Sequence, residues 1–236
     1  MRAADLHAVP ERVLAVYAHP DDPEVSCAGT LARWARAGSE VHLLIATRGE
    51  KGSPDPGADP DAIAARRATE ADAAATVMGL ASHELLGYPD GEIENSVELR
   101  GRLVERIRRF RPDVVMGPDP TAVFFGTSYV NHHDHREIGF ALLDSCAPAA
   151  GSPLYFPETG PAHHVGSVYL SGTLEPDTWI EITETIDIKV AALLCHESQL
   201  GPDAELAADV VRRRAASAGS AGGVPFAEAY RVMRFA

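Results

Sequence analysis

A histidine and two adjacent carboxylates fall within four residues of one another in Ala18-His19-Pro20-Asp21-Asp22-Pro23-Glu24. They supply a neutral nitrogen and hard oxygen donors, a set suited to zinc. Prolines on both sides stiffen the turn. Neighbouring side chains point different ways, so one aspartate can bind a metal ion while the other faces its bound water. A second cluster, His132-His133-Asp134-His135, has the spacing that lets two histidines converge on one centre. Taken alone, each cluster also reads as a polar turn, with Asp134 as a helix N-cap. Taken together, they complete each other. His19, one aspartate and His135 make three protein ligands with an open fourth position, the pattern of a catalytic zinc. Zinc lowers the pKa of bound water to about 7. The remaining carboxylate can take that water's proton and deliver it to a leaving group. A cationic His132 can stabilise a tetrahedral oxyanion. The same donors accept ferrous iron.

Such a centre needs strand ends to carry it. Short runs rich in Val, Ile and Leu alternate with longer amphipathic stretches, the pattern of βαβ units around a mostly parallel sheet flanked by helices, an α/β fold. Strands are expected at 12–17, 41–46, 83–86, 114–116, 165–170 and 179–182, with a Ser/Gly/Ala loop and a closing segment at 229–235 ending the chain. Helices are expected at 29–36, 59–78, 97–110, 136–146, 187–194 and 204–215, with Asp59 capping the second before Pro60. Both clusters follow strands, where ligands of open α/β sheets gather. Residues 18–27 read as a loop, and 49–60, 120–131 and 151–164 as the irregular segments that shape a pocket. No repeat or linker divides the chain, so one domain over 1–236 is expected.

The remaining candidates read as structural. His42 alternates within an apolar strand and reads as packed or hydrogen-bonded. His163 and His164 read as surface residues, and His196 as a cation at a helix end. Glu24 reads as a brace for the turn, Trp34 as core, and the arginines of 100–111 as a solvated face. The 236 residues are 45% hydrophobic and 23% charged, ordinary for a globular chain that buries a large core unaided. A net charge of −13 repels phosphate backbones and anionic lipids, which argues against nucleic acid as a partner. Cys27, Cys146 and Cys195 form no CxxC pair and read as reduced thiols. The N-terminal MRAADLHAVPERVLAV lacks the layout of a secretion signal, and no apolar run reaches a membrane span. The expected location is the cytoplasm.

AHPDDPE at 18–24, then AGTLARWARAG, a strand ending ATRGE, LLGYPDG at 85–91 and His132–His135 follow one another in an order that resembles the GlcNAc-phosphatidylinositol de-N-acetylase-like (LmbE/PIG-L) zinc deacetylases. HESQ at 196–199 and EAYRVMRF at 228–235 are similar to the family's endings. The resemblance implies a Rossmann-like domain that hydrolyses the acetyl group from an N-acetylated amino sugar or sugar conjugate. It implies zinc on His19, Asp22 and His135, with Asp21 as general base. It further implies His132 on the acetyl carbonyl or oxyanion, Asp134 orienting His132, and Arg48 and Asp90 lining the sugar pocket. Relatives often assemble, so a homo-oligomer is an open expectation. The sequence departs from the pattern at Ala28, where a glycine is common, and at His133, where proline is frequent. Tyr129 stands three residues before His132, whereas some members have a tyrosine two before. Two rival readings are an amidase on a larger acyl or thiol conjugate, and a non-catalytic sugar-binding relative.

Overall fold

Strand β1 (Arg12–Tyr17) is apolar without alternation, and Val13 through Tyr17 are all buried. A strand of that kind belongs inside a parallel sheet covered on both faces. The computed structural model, which describes residues 9–235, places it there. The first eight residues, part of the N-terminal segment read above for a secretion signal, lie outside the described residues.

The sheet runs, edge to edge, β3 (Ser82–Tyr88), β2 (Glu40–Thr47), β1, β4 (Val114–Pro118), β7 (Ser167–Ser171), β9 (Ala227–Arg234) and β8 (Thr178–Glu181). From β3 to β7 neighbours are parallel, and β9 is antiparallel to both β7 and β8. A separate hairpin pairs β5 (Phe124–Phe125) with β6 (Tyr129–Val130). Strands β2 and β4 lie on opposite sides of β1, so the chain reverses its winding there. The carboxyl ends of β1 and β4 therefore open a crevice, the usual ligand site of such sheets.

On one face α4 (Val97–Phe110) and α5 (His133–Asp144) pack on Leu14 and Val16. On the other, α2 (Ala28–Arg36), α3 (Pro60–Met78) and α6 (Ile186–Leu194) pack on Val13, Ala15 and Tyr17. Helix α5 lies very close to β4. A Cβ on Gly117 would sit 2.4 Å from Leu142 Cδ2, and one on Gly139 would sit 2.7 Å from the Pro118 carbonyl. Two glycines thus set how near the second cluster comes to the strand ends.

Several expectations are corrected. The segment 18–27 contains a short helix, α1 (Asp22–Ser26), begun by Asp22 and Pro23. Helix α5 starts at His133 rather than 136, because the His132 ring caps it by accepting from the Asp134 N–H at 3.2 Å. After α7 (Glu197–Leu200), helix α8 (Ala204–Gly222) runs through Ser, Gly and Ala residues that read as a loop. Its Gly219 packs against the backbone of Val224 and Pro225, where a Cβ would meet carbonyls at 2.6 Å. Packing there overrides weak helix propensity. Arg108 is buried rather than solvated, and its guanidinium donates to the carbonyls of Ala149, Ala150, Ser152, Tyr155 and Phe156. Together with the His163 bond to the Pro112 carbonyl, this fixes 151–164 at the amino-terminal end of β4, away from the crevice. That segment shapes no pocket at the crevice.

Candidate metal centre

The turn after β1 closes on itself, with the His19 N–H donating to Asp22 Oδ2 at 2.8 Å. This brings the His19 ring over the Asp22 carboxylate. From the end of β4, the chain returns through the β5–β6 hairpin to α5, which delivers His135 to the same point. His19 Nδ1 lies 3.2 Å from His135 Nε2 and 3.4 Å from Asp22 Oδ2, and His135 Nε2 lies 3.0 Å from Asp22 Oδ1. Bonds of about 2.0–2.1 Å around a tetrahedral ion place ligand atoms roughly 3.3–3.4 Å apart. Each of the three side chains offers one ligand atom within 4.8 Å of the others, a spacing that could hold a divalent cation.

Each histidine is oriented from behind. His135 Nδ1 faces Asn131 Oδ1 at 3.0 Å, and the buried Asn131 amide is fixed by its own donation to the Ala122 carbonyl at 2.8 Å. Nδ1 therefore carries the proton, and the Nε2 lone pair points at the cation position. His19 Nε2 lies 3.1 Å from Asp134 Oδ2 and 3.2 Å from Asp90 Oδ1. Asp134 is fully buried and also accepts from the Gly91 and Ile93 N–H groups at 2.7 and 3.2 Å. Its carboxylate is 4.0 Å from the His132 ring. The Asp134 carboxylate thus holds the candidate ligand His19, and its backbone N–H reaches His132. Burial opposes the His19 charge, but Asp22, Asp134 and Asp90 carry its pKa up to about 12, so a proton occupies this position in the metal-free protein.

Asp21 stands beside the ligands and binds neither histidine. Its φ of 125° is unusual for a non-glycine residue. Such a conformation costs about 1–3 kcal/mol and persists where its surroundings impose it. Arg67, buried on α3, imposes it by donating to the Pro20 carbonyl at 2.6 Å and pairing with Asp21 Oδ2 at 3.2 Å. Burial and the neighbouring Asp22 raise the Asp21 pKa to about 7, against the pull of Arg67. For Asp22, burial raises the pKa, but His135 and His19 hold it well below the usual range. His132 is half-exposed, with its ring edge-on to His19 at 4.7 Å. Because Nδ1 accepts the Asp134 N–H, Nε2 carries the proton of the neutral ring. Burial and the charge on His19 keep the ring neutral by lowering its pKa.

Residues 14–146 match the family described as GlcNAc-PI de-N-acetylase (PIG-L). The chain belongs to this family. It is 30% identical over 226 residues to diacetylchitobiose deacetylase of Thermococcus kodakarensis, spanning 94% of this chain and 82% of that protein. It is 33% identical over 173 residues to the 1D-myo-inositol 2-acetamido-2-deoxy-alpha-D-glucopyranoside deacetylase of Kineococcus radiotolerans, over 60% and 46% of the two chains. Among solved structures, N,N'-diacetylchitobiose deacetylase from Pyrococcus horikoshii superposes with a TM-score of 0.88 at 29% identity, over 98% of this chain and 88% of that one. With this family and these relatives, the chain is a hydrolytic N-deacetylase.

In this PIG-L domain the structure brings His19, Asp21, Asp22, Asp90, His132, Asp134 and His135 together around one hollow. Arg48 is turned away, its guanidinium 2.9 Å from Asp61 on α3. Lys51 and Arg67 line the hollow instead. Sequence reasoning missed Asn131 and Arg67. Asn131 stands four residues before His135, a spacing that offered a signal. Arg67 lies in an alanine-rich helix with no local sign of its role. His196 is buried 3.4 Å from Glu24 rather than capping a helix end, while His42 is packed, stacked 3.9 Å from Phe110. Glu24 is buried against that histidine, behind the turn.

Proposed function

We propose that the chain is a zinc-dependent deacetylase that hydrolyses the N-acetyl group of an N-acetylglucosamine unit in a soluble sugar conjugate. One observation carries this reading. Two imidazole nitrogens and a carboxylate converge within 3.0–3.4 Å, with a second carboxylate, on Asp21, alongside that binds neither histidine. Two nitrogens and one oxygen are a common set for catalytic zinc, and ferrous iron shares them. A cation held there supplies activation of water and polarisation of the amide carbonyl.

The protein's own groups do the rest. Asp21, with a pKa near neutrality, takes the proton of the attacking water and returns it to the departing amine. The bond formed is water oxygen to acetyl carbon, the bond broken is that carbon to nitrogen, and acetate and a free amine leave. His132 presents its Nε2 hydrogen to the oxyanion that develops between these steps. Asp90 and Lys51, at the rim of the hollow, face the sugar. The relatives carry glucosamine joined to different second units, and their shared acetamide is the part this centre handles. No described helix is long and apolar enough to cross a membrane, and we place the reaction in the cytoplasm.

Asp21→Asn tests the reading. The variant is expected to keep one equivalent of metal by elemental analysis and to lose at least about a hundredfold in acetate release, the usual scale of a general base. Near wild-type turnover by Asp21→Asn would remove the base from this scheme.

A further inference from the structure

The chain leaves Asp21 through α1, whose Val25 N–H donates to the Asp21 carbonyl at 3.3 Å. Whatever holds α1 therefore sets the direction in which the chain departs from Asp21. Two residues reach across from α6 and its end to hold it. Lys189 donates to the Val25 carbonyl at 3.0 Å, and His196, where α6 gives way to α7, has Nε2 3.4 Å from Glu24 Oε2.

Lys189 has a use of its own in its ion pair with Glu228. His196 has none. Its ring is 0% exposed, and neither nitrogen makes a hydrogen bond. Glu24 is 2% exposed, and its Oε2 accepts none. Burial opposes a charge on His196, but Glu24, Asp21 and Glu70 outweigh it and raise its pKa, which favours the charged ring. A buried ion pair without supporting hydrogen bonds adds little stability, because desolvation offsets the attraction. Among the described residues, seven buried side-chain atoms lack a hydrogen-bond partner, and four of them belong to Glu24, His196 and Arg67. Such a concentration calls for a use other than stability.

That use follows from the turn. Asp21 keeps its φ of 125° only if the chain is fixed on both sides. Arg67 grips one side, at the Pro20 carbonyl and the Asp21 carboxylate. Glu24, three residues on, is the grip on the other. Glu70 joins the two, accepting the Ser198 N–H and hydroxyl at 2.8 and 2.6 Å. It thereby fixes α7, with His196 at its start, to α3, the helix that carries Arg67. Both grips come from one packed unit.

We propose that His196 is a positioning residue for the deacetylation, holding the strained Asp21 turn through Glu24 so that the Asp21 carboxylate stays beside the candidate ligands. The proposal rests on the deacetylase reading for the role of Asp21, while the geometry stands apart from it.

The experiment compares crystal structures and turnover of the metal-loaded full chain, with N,N'-diacetylchitobiose as the probe. Removing one partner strands a buried charge, so both are replaced together. Glu24→Leu with His196→Leu should fold with a Tm close to that of the wild type. In it Asp21 is expected to relax to a negative φ and to lose its contact with Arg67. The kcat for acetate release should fall at least about tenfold, as for other misplaced groups, with KM and metal content unchanged. Glu24→Gln with His196→Met removes the pair with less change in volume and is read in the same way. His196→Gln, whose amide can donate to Glu24, should keep the φ and recover most of kcat. Asp21 retaining its φ in both double variants overturns the proposal whatever the turnover, and so does a relaxed turn with wild-type kcat. If the wild type releases no acetate from the probe, the deacetylase reading fails by itself, and the Asp21 φ still decides whether His196 holds the turn.

Discussion

His19 is held on both sides of its ring. Nδ1 faces the other ligands, and Nε2 faces two carboxylates. A carboxylate behind a ligating imidazole fixes its tautomer and raises its basicity, and losing it typically weakens metal binding about 10–100-fold. Asp134→Asn is therefore expected to weaken metal affinity by that factor in competition with a chelator. If Asp134 acted on His132 instead, the variant would lose turnover with its metal affinity unchanged. The proposed ligand triad and the proposed base were legible because a histidine and two aspartates at a strand end have few other uses. The contact of the Asp134 carboxylate with His19 was not, since a loop N–H, His132 or His19 all suit a buried carboxylate equally until the 91–93 backbone fixes its position.

At the scale of elements, local patterns carried most of the architecture. Unbroken apolar runs gave the central strands, and Ser96 and Asp59 cap their helices by accepting from Leu99 and Asp61. Expectation failed where a tertiary contact decides. Gly219 lets α8 continue through a sequence of turn-like composition, and Arg108 gathers carbonyls that composition alone would leave in water. The approach of α5 to β4 belongs to the same class. Gly139→Val is expected to cost about 1–3 kcal/mol in stability, the usual price of overpacking, and to weaken metal binding as His135 retreats. Denaturant melts and metal titration of one sample measure both effects.

A buried ion pair links the end of the chain to the turn. Glu228 on β9 accepts from the Gly29 and Thr30 N–H groups at 3.0 and 2.8 Å and from Lys189 at 2.5 Å. It sits at the amino terminus of α2, where a negative charge is favoured. Glu228→Gln strands the buried Lys189 charge and is expected to cost about 3–5 kcal/mol, read as a fall in Tm.

For the whole molecule, acid sensitivity follows from histidines held neutral. Burial lowers the His42 pKa, despite Glu40 nearby. The unfolded chain, with a value near 6.5, takes up the proton first. Stability from this group is thus full above about pH 6.5 and is lost as pH falls toward the lower folded value. His42→Gln should flatten that part of the stability–pH curve, measured by urea midpoints between pH 5 and 8. The charge of −13 argued against nucleic acid from composition alone, but it could not bring Glu24 beside His196. That pair joins α1 to the start of α7, which no sequence window contains together.

His19 and His135 are 116 positions apart in the chain, one in the turn that follows β1 and the other on α5 after β4, so the two central parallel strands bring them together. An ion gripped by both would act as a clasp across the carboxyl ends of the central strands. It can be seated only after the central strands have paired, and once seated it opposes their separation by mass action. If the proposed site takes up a metal, loading would be a late event in the life of the chain and would stabilise the finished fold.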